Sequence, residues 1–290
     1  MFNIGHMGLD REEYPRVIKE MRVKPIFMVH DLIPIQYPEY GRVGEKERHI
    51  RRMNCVLDTA TAIVTNSQVT LNELRVYSDA HNKPMPNSIA ALLGTLVLAK
   101  QQCDAPLKVP YFVILGTIEG RKNHLLLLNI WRNLVDTLSD ETPRLVIIGQ
   151  RGWECENVID LLDRCDKLKN YVIEIPRCSD EMLSAYLHHA RALLFPSFVE
   201  GYGMPLAEAL SMGIPVIVSD LGVFREIAGE IPEYIDSLDG KRWKELILEY
   251  ARPNSSKRQD QIKRIKDLVL PSWENHFNQV DDLITFMGNK

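Results

Sequence analysis

"RALLFPSFVEGYGMPLAEALSMGIPVIVSD", residues 191–220, carries two apolar runs separated by an acid, two glycines, a proline and a second acid. The runs at 191–197 and 214–220 read as buried strands. Pro205 suits a first helical turn, where its missing N–H is not needed. Gly213 suits a helix end, where a left-handed residue closes the last turn. The spacing therefore predicts a short helix over roughly residues 205–212. Gly201 and Gly203 let the backbone take unusual dihedrals and approach a ligand closely. Free amides and the helix dipole converge where the loop meets the helix, which favours a phosphate. In open α/β sheets, ligands sit at the carboxyl ends of strands, and this loop lies there. Ionised carboxylates only accept hydrogen bonds, so they pair with hydroxyls. Glu200 on the loop and Glu208 just inside the helix would grip the two ends of a molecule with phosphates at its middle, the layout of a sugar nucleotide. Taken alone, two glutamates eight positions apart read as surface residues beside a turn. The glycines, the proline and the flanking strands are what separate this stretch from that reading.

The pattern extends outward in both directions. "PYFVILG" (110–116), "RLVIIG" (144–149) and "NYVIEIP" (170–176) read as strands. They alternate with helical patterns at 123–138, 155–165 and 179–190, the last capped by Ser179. Nearer the start, "KPIFMVHDL" (24–32) and "TAIVTNS" (61–67) are strands, 45–60 is a helix, and Ser67 caps a further helix. Residues 79–108 hold Pro84, Pro86, Gly94 and Pro106, which suggests a last strand followed by a linker. Continuous apolar strands alternating with helices imply parallel sheets covered on both faces. The expected architecture is α/β with two Rossmann-like domains. The first covers 1–105, the second 106–270, and a terminal helix over 271–290 follows.

Composition bounds the function. The chain has 290 residues, 45% apolar and 26% charged, with a net charge of -4 that gives no nucleic-acid signal. The run "RVGEKERHIRR" (42–52) is locally basic. It reads first as a solvated helix face and second as a contact for an anionic membrane surface. Five cysteines at irregular spacing form no C-x-x-C pair, which predicts reduced thiols and no zinc site. The start has no apolar core of a signal peptide, so a cytoplasmic protein is expected, with or without peripheral contact at the inner membrane face. No G-x-G-x-x-G follows a first strand, which argues against a dinucleotide-dependent dehydrogenase.

"PSFVEGYGMPLAEALSMGIPVIVSD" resembles the E-x7-E signature of glycosyltransferase family 4, retaining enzymes of the GT-B fold, whose two Rossmann-like domains face a cleft. "LGTIEGRKNHLLLLNIW" (115–131) resembles that family's diphosphate-binding segment, and "VHDLIPIQYPEY" (29–40) its cleft-facing loop in the first domain. The resemblance covers nearly the whole chain. It implies that Glu200 hydrogen-bonds the donor hexose, that Glu208 holds the ribose hydroxyls and that Lys122 neutralises the diphosphate. Thr117 stands where many members carry an arginine, and Arg121 would supply that charge. His30 matches the histidine near the transferred sugar. Backbone amides at Tyr202, Gly203 and Met204 would contact phosphate, Gly201 would belong to the same donor-binding loop, and the main chain around Arg177 and Cys178 would flank the base. His6 is a weaker candidate of the same kind as His30, while His188 and His189 lie inside a helix and read as structural.

The implied reaction moves a hexose, mannose first, from a GDP- or UDP-linked donor to a glycan or lipid-linked acceptor in surface polysaccharide synthesis. It needs no metal and no cofactor, and the donor phosphate itself takes the acceptor proton. Complete members of the family are usually longer. The start "MFNIGHMGLD" resembles a point well inside their first domain, so an open sheet edge is expected, covered by a partner or an oligomer. Two function classes follow: an active glycosyltransferase, or a catalytically impaired sugar-nucleotide-binding protein that acts as an interaction partner.

Overall fold

A computed structural model of the chain describes residues 1–96 and 104–288. It comprises two units. One is built from Met1–Gly94, Glu200–Tyr202 and Pro271–Lys290, the other from Thr95–Val199 and Gly203–Leu270. The division falls at Gly94, earlier than the linker end read from the sequence. Part of that linker, 97–103, lies outside the described residues.

The first unit starts with β1 (Phe2–Asn3), α1 (Tyr14–Met21), β2 (Ile26–Val29) and α2 (Ile33–Gln36). It continues through α3 (Glu45–Thr59), β3 (Ala62–Thr65), α4 (Gln68–Ala80) and β4 (Asn87–Ala90). All four strands are parallel and lie in sequential order, β1-β2-β3-β4. β2 and β3 are buried along their whole length, as a strand covered on both faces must be. One face packs Phe27, Val29 and Ile63 against Met53, Val56 and Leu74 of the helices. Ser67 caps α4, accepting from the Thr70 amide at 3.1 Å.

The second unit contains β5 (Tyr111–Leu115), α5 (His124–Leu138), β6 (Arg144–Ile148), α6 (Glu156–Arg164) and β7 (Val172–Ile175). Then come α7 (Asp180–His189), β8 (Leu193–Phe195), α8 (Met204–Ser211), β9 (Val216–Ser219) and α9 (Gly222–Ala228). β10 (Glu233–Ile235), α10 (Gly240–Ala251) and α11 (Ser256–Lys266) complete it. Its parallel sheet runs β10-β9-β8-β5-β6-β7. The strand order therefore reverses between β5 and β8, and crossovers leave this pair in opposite directions. Such a switch point opens a crevice at the carboxyl ends of the two strands. Trp131, Trp243 and Tyr250 are fully buried in this unit's core, and the indole N–H groups reach the carbonyls of Pro143 and Asp236 at 2.8 and 3.1 Å.

The last helix, α12 (Trp273–Gly288), belongs to the first unit. Its Val280, Leu283 and Met287 close the other face of the first sheet over Ile26, Ala62 and Val64. Lys24 ties the end of this helix down by donating to the Met287 carbonyl at 3.2 Å.

Candidate functional site

The switch point of the second unit is where the candidate residues gather. β5 ends at Leu115 and leads through Gly116 and Thr117 into a 3-10 turn at Gly120–Lys122. Asn123 then takes a left-handed conformation, φ 56°, to start α5. Its side-chain amide donates to the Ser237 carbonyl at 3.0 Å, which fixes this pivot. The pivot turns Lys122 back over the end of β5. A Cβ placed on Gly116 would lie 3.7 Å from the Lys122 Nζ, so the ammonium sits close against bare backbone. That ammonium also lies 4.7 Å from the centroid of the Phe195 ring, at the end of β8. Lys122 is only 7% exposed, an unusual state for a lysine. The ring face supplies part of the favourable field that burial removes.

Arg121 points elsewhere. Its guanidinium pairs with buried Glu119 at 2.7 Å and donates to the Val199 carbonyl at 3.3 Å. The Phe198 amide donates to the Arg121 carbonyl at 2.8 Å. The loops after β5 and β8 are thus joined by side chain and main chain together. His124 is buried with both ring nitrogens unpartnered among the described residues, and burial, aided by the charge on Lys122, pushes its pKa down to about 3. It is neutral at physiological pH.

Gly203 is the N-cap of α8, with Pro205 in the first turn. Glu208 falls in the second turn of this helix rather than the first, because the helix starts at Met204. Its half-buried carboxylate accepts no hydrogen bond among the described residues. Burial, with Asp180 at the start of α7 adding to it, raises its pKa. Thr117 is half-buried beside Gly152, where a Cβ would come within 2.6 Å of its methyl group. Arg177 is exposed and Cys178 half-buried in the connection between β7 and α7, at the carboxyl end of β7.

The glycines serve the chain's own packing. Gly203 has φ 132°, and a Cβ there would come within 2.8 Å of the Phe224 ring. Glu200, Gly201 and Tyr202 group with the first unit. A Cβ on Gly201 would lie 2.7 Å from the His30 carbonyl oxygen, and the Tyr202 hydroxyl donates to the Leu93 carbonyl at 2.6 Å. In that unit His30 meets the Ile4 carbonyl through Nε2 at 2.8 Å. Its ring centroid is 5.4 Å from that of His6, which is in turn 5.3 Å from His49. Burial, with the neighbouring His49 and His30 contributing, pushes His6 down to about 3. Among the described residues, no group of three or more His, Cys, Asp or Glu side chains could hold a metal ion.

Sequence reasoning did not single out Glu119, His124 or Phe195. Glu119 and His124 flank the lysine within "EGRKNH", and a signal for Glu119 was present: an acid just before two cations invites an ion pair. From the sequence, Phe195 reads only as strand core. Of the five cations in the basic run 42–52, Arg48 and Arg52 pair with Asp10 and Glu45.

The chain is 31% identical over 230 residues to the serotype-specific mannosyltransferase WbdA of Escherichia coli, covering 70% of this chain and 27% of that protein. It is 27% identical to O-antigen chain mannosyltransferase B of Escherichia coli, covering 85% of this chain and 66% of the relative. It is 30% identical to the O-antigen chain mannosyltransferase RfbU of Salmonella typhimurium, covering 83% and 63%. The chain therefore spans under a third of WbdA and about two thirds of the shorter relatives. Among solved structures, sucrose-phosphate synthase from Thermosynechococcus elongatus superposes with a TM-score of 0.69 at 17% identity, over 95% of this chain and 71% of that one. A trehalose 6-phosphate synthase from Burkholderia multivorans gives a TM-score of 0.73 at 10% identity, over 99% and 70%. These likenesses establish the GT-B type of fold. Residues 98–266, more than half of the chain and including the whole switch-point site, match the family described as glycosyl transferases group 1, and the chain belongs to that family.

Proposed function

We propose that this chain binds a nucleotide-diphosphate sugar and transfers its hexose, with retention, to a glycan or lipid-linked acceptor during surface polysaccharide synthesis, as a member of glycosyltransferase family 4. The observation that carries the reading is the pair of groups at the switch point. A nearly buried lysine is held rigidly at the end of β5, and a half-buried carboxylate on α8 accepts no hydrogen bond from the described residues. Mannose is the first candidate sugar, because the relatives are named as mannosyltransferases. The base is guanine or uracil.

Lys122 and the first amides of α8, at Gly203 and Met204, take the diphosphate. Glu208 accepts from the ribose hydroxyls. Thr117 lines the phosphate end, and the main chain at Arg177 and Cys178 flanks the base. Arg121 acts by fixing the two loops, since Glu119 already balances its charge. Glu200 accepts from the hexose, the backbone at Gly201 and Tyr202 lies beside it, and His30 serves the sugar end. In the reaction the bond from the anomeric carbon to the phosphate oxygen breaks and the acceptor oxygen bonds to that carbon on the same face. The acceptor proton passes to the departing phosphate oxygen. Charge developing on the leaving diphosphate falls on Lys122, where exclusion of water strengthens the interaction. No metal is needed for this division of roles. The protein works at the cytoplasmic face of the membrane.

Calorimetric titration with GDP, UDP and ADP tests donor binding directly, followed by turnover assays with and without acceptor. Saturable binding of one nucleotide, weakened by Lys122→Ala, is the expected result. Absence of binding to any of the three would end the proposal. Binding without turnover on any acceptor would favour a sugar-nucleotide-binding partner protein.

A further inference from the structure

At the amino ends of β8 and β9, opposite the strand ends that carry Lys122, the second unit has an open groove of about 530 Å3. Met212, Ile214, Ile262 and Leu268 give it an apolar floor, and Arg258 and Lys266 of α11 add charge. The charges on α11 are unevenly balanced. It carries five cations. Lys257 and Arg264 both pair with Glu233, at 3.0 and 3.2 Å, and Lys263 pairs with Asp260 at 3.0 Å. Among the described residues no carboxylate lies within ion-pair reach of Arg258 or Lys266, the two that line the groove.

Arg258 uses Nε and Nη2 to close the end of α7, donating to the carbonyls of Arg191 and Ala190 at 2.8 and 3.4 Å. Its Nη1 meets no acceptor among the described residues. The neighbouring Arg191 guanidinium likewise bonds only to carbonyls, those of Tyr250 and Arg252. Burial and the charge on Arg191 push the Arg258 pKa down to about 10. Two half-buried guanidiniums without a counter-charge raise the energy of the folded chain, and an arriving anion lowers it.

We propose that this groove takes an anionic membrane lipid, with the headgroup phosphate on Arg258 and Lys266 and the first chain carbons on the apolar floor. The adjacency of floor and cations selects a molecule whose charge and alkyl chain are contiguous. Val269, 90% exposed beside the groove, extends the apolar surface outward. The inference stands apart from the donor reading, because lipid binding is measured without turnover.

The test is flotation of the full chain with phosphatidylcholine vesicles, with and without phosphatidylglycerol. Binding that requires phosphatidylglycerol is expected. Lys266→Glu should reduce it about tenfold, the effect of losing and reversing one basic contact near the surface. Leu268→Asn should reduce it as well. Lys263→Glu makes the same charge change on the same helix outside the groove and should bind like the parent chain. Equal losses in the two charge variants would mean diffuse attraction and overturn the groove. So would no dependence on phosphatidylglycerol, or full displacement by inorganic phosphate at matched ionic strength. Thermal unfolding of each variant, unchanged from the parent, keeps a folding defect from imitating the result.

Discussion

The two units contain the same kind of sheet wound in different ways. In the second, strand order reverses between β5 and β8, and every group assigned to the diphosphate and ribose follows one of the strands near that reversal. In the first, β1 to β4 advance in one direction and no reversal occurs among the described strands. A reversal forces neighbouring connections to diverge, and the space between them admits a ligand. Along the described strands no such divergence occurs, and His6, His30 and His49 lie packed on one another and on backbone carbonyls.

This contrast can be broken at the lysine. Lys122→Ala should lower transfer by about 100- to 1,000-fold, the usual loss when a charge aimed at a leaving group is removed from a site with little water. The melting temperature should move little, and steady-state kinetics alongside calorimetry read both. A variant with parental turnover would remove the second unit's claim to the chemistry.

Gly203→Ala tests the strained entry to α8. Positive φ and the Phe224 ring at 2.8 Å from the added carbon should destabilise the second unit by about 1–3 kcal/mol. Urea unfolding followed by hydrogen exchange would locate the loss there and leave the first sheet protected.

Glu208→Gln keeps the size of the side chain and removes the charge. Nucleoside diphosphate affinity should fall about tenfold, since hydrogen bonds to a charged acceptor are worth about 1.5–3 kcal/mol and the amide retains part of this. Calorimetry gives the ratio directly, and no change would place the ribose elsewhere.

The smallest effect of a substitution belongs to Glu73 in the first unit. Burial, with Asp31 adding to it, pushes the Glu73 carboxyl up to about 7. A carboxyl whose folded pKa is raised stabilises the fold fully below its unfolded value and loses that contribution as pH rises through 7. Glu73→Gln should therefore stabilise the first unit at pH 8 relative to the parent, by ~1 kcal/mol or less after solvent screening, and give no advantage near pH 4. His6 has the opposite sign. Its depressed pKa means stability is lost as pH falls from about 6.5 towards 3, at up to about 1.4 kcal/mol per pH unit. Urea midpoints across pH separate the two.

Most of the architecture could be read from residue patterns. The seven apolar runs read as strands are β2, β3 and β5 to β9; all but the half-buried edge strand β7, which holds Glu174, are largely buried, and such strands leave near-continuous runs of Val, Ile and Leu. The polar caps at Ser67 and Ser179 also appear as read, each accepting from the amide three residues on. β1 and β10, two and three residues long, have no run to see. The site was legible where position on the chain fixes position in space: a lysine one turn past a strand end must lie near that end. Direction was not legible. Arg121 and Lys122 are neighbours, yet one is balanced by Glu119 and the other rests on a phenylalanine from a strand 73 positions later, as long-range packing decides. The tight packing of the two glycines was not legible either, since their near neighbours, Phe224 and the His30 backbone, come from distant parts of the chain.

The helix that closes the underside of the first sheet follows the whole second unit in the sequence. During synthesis the ribosome delivers β1 to β4 well before their cover. Until Val280, Leu283 and Met287 emerge, Ile26 and Val64 stay wet, while the six-stranded unit already has all its parts. The half made first is thus finished second, and a nascent chain stalled before residue 271 would present a bare apolar sheet to chaperones.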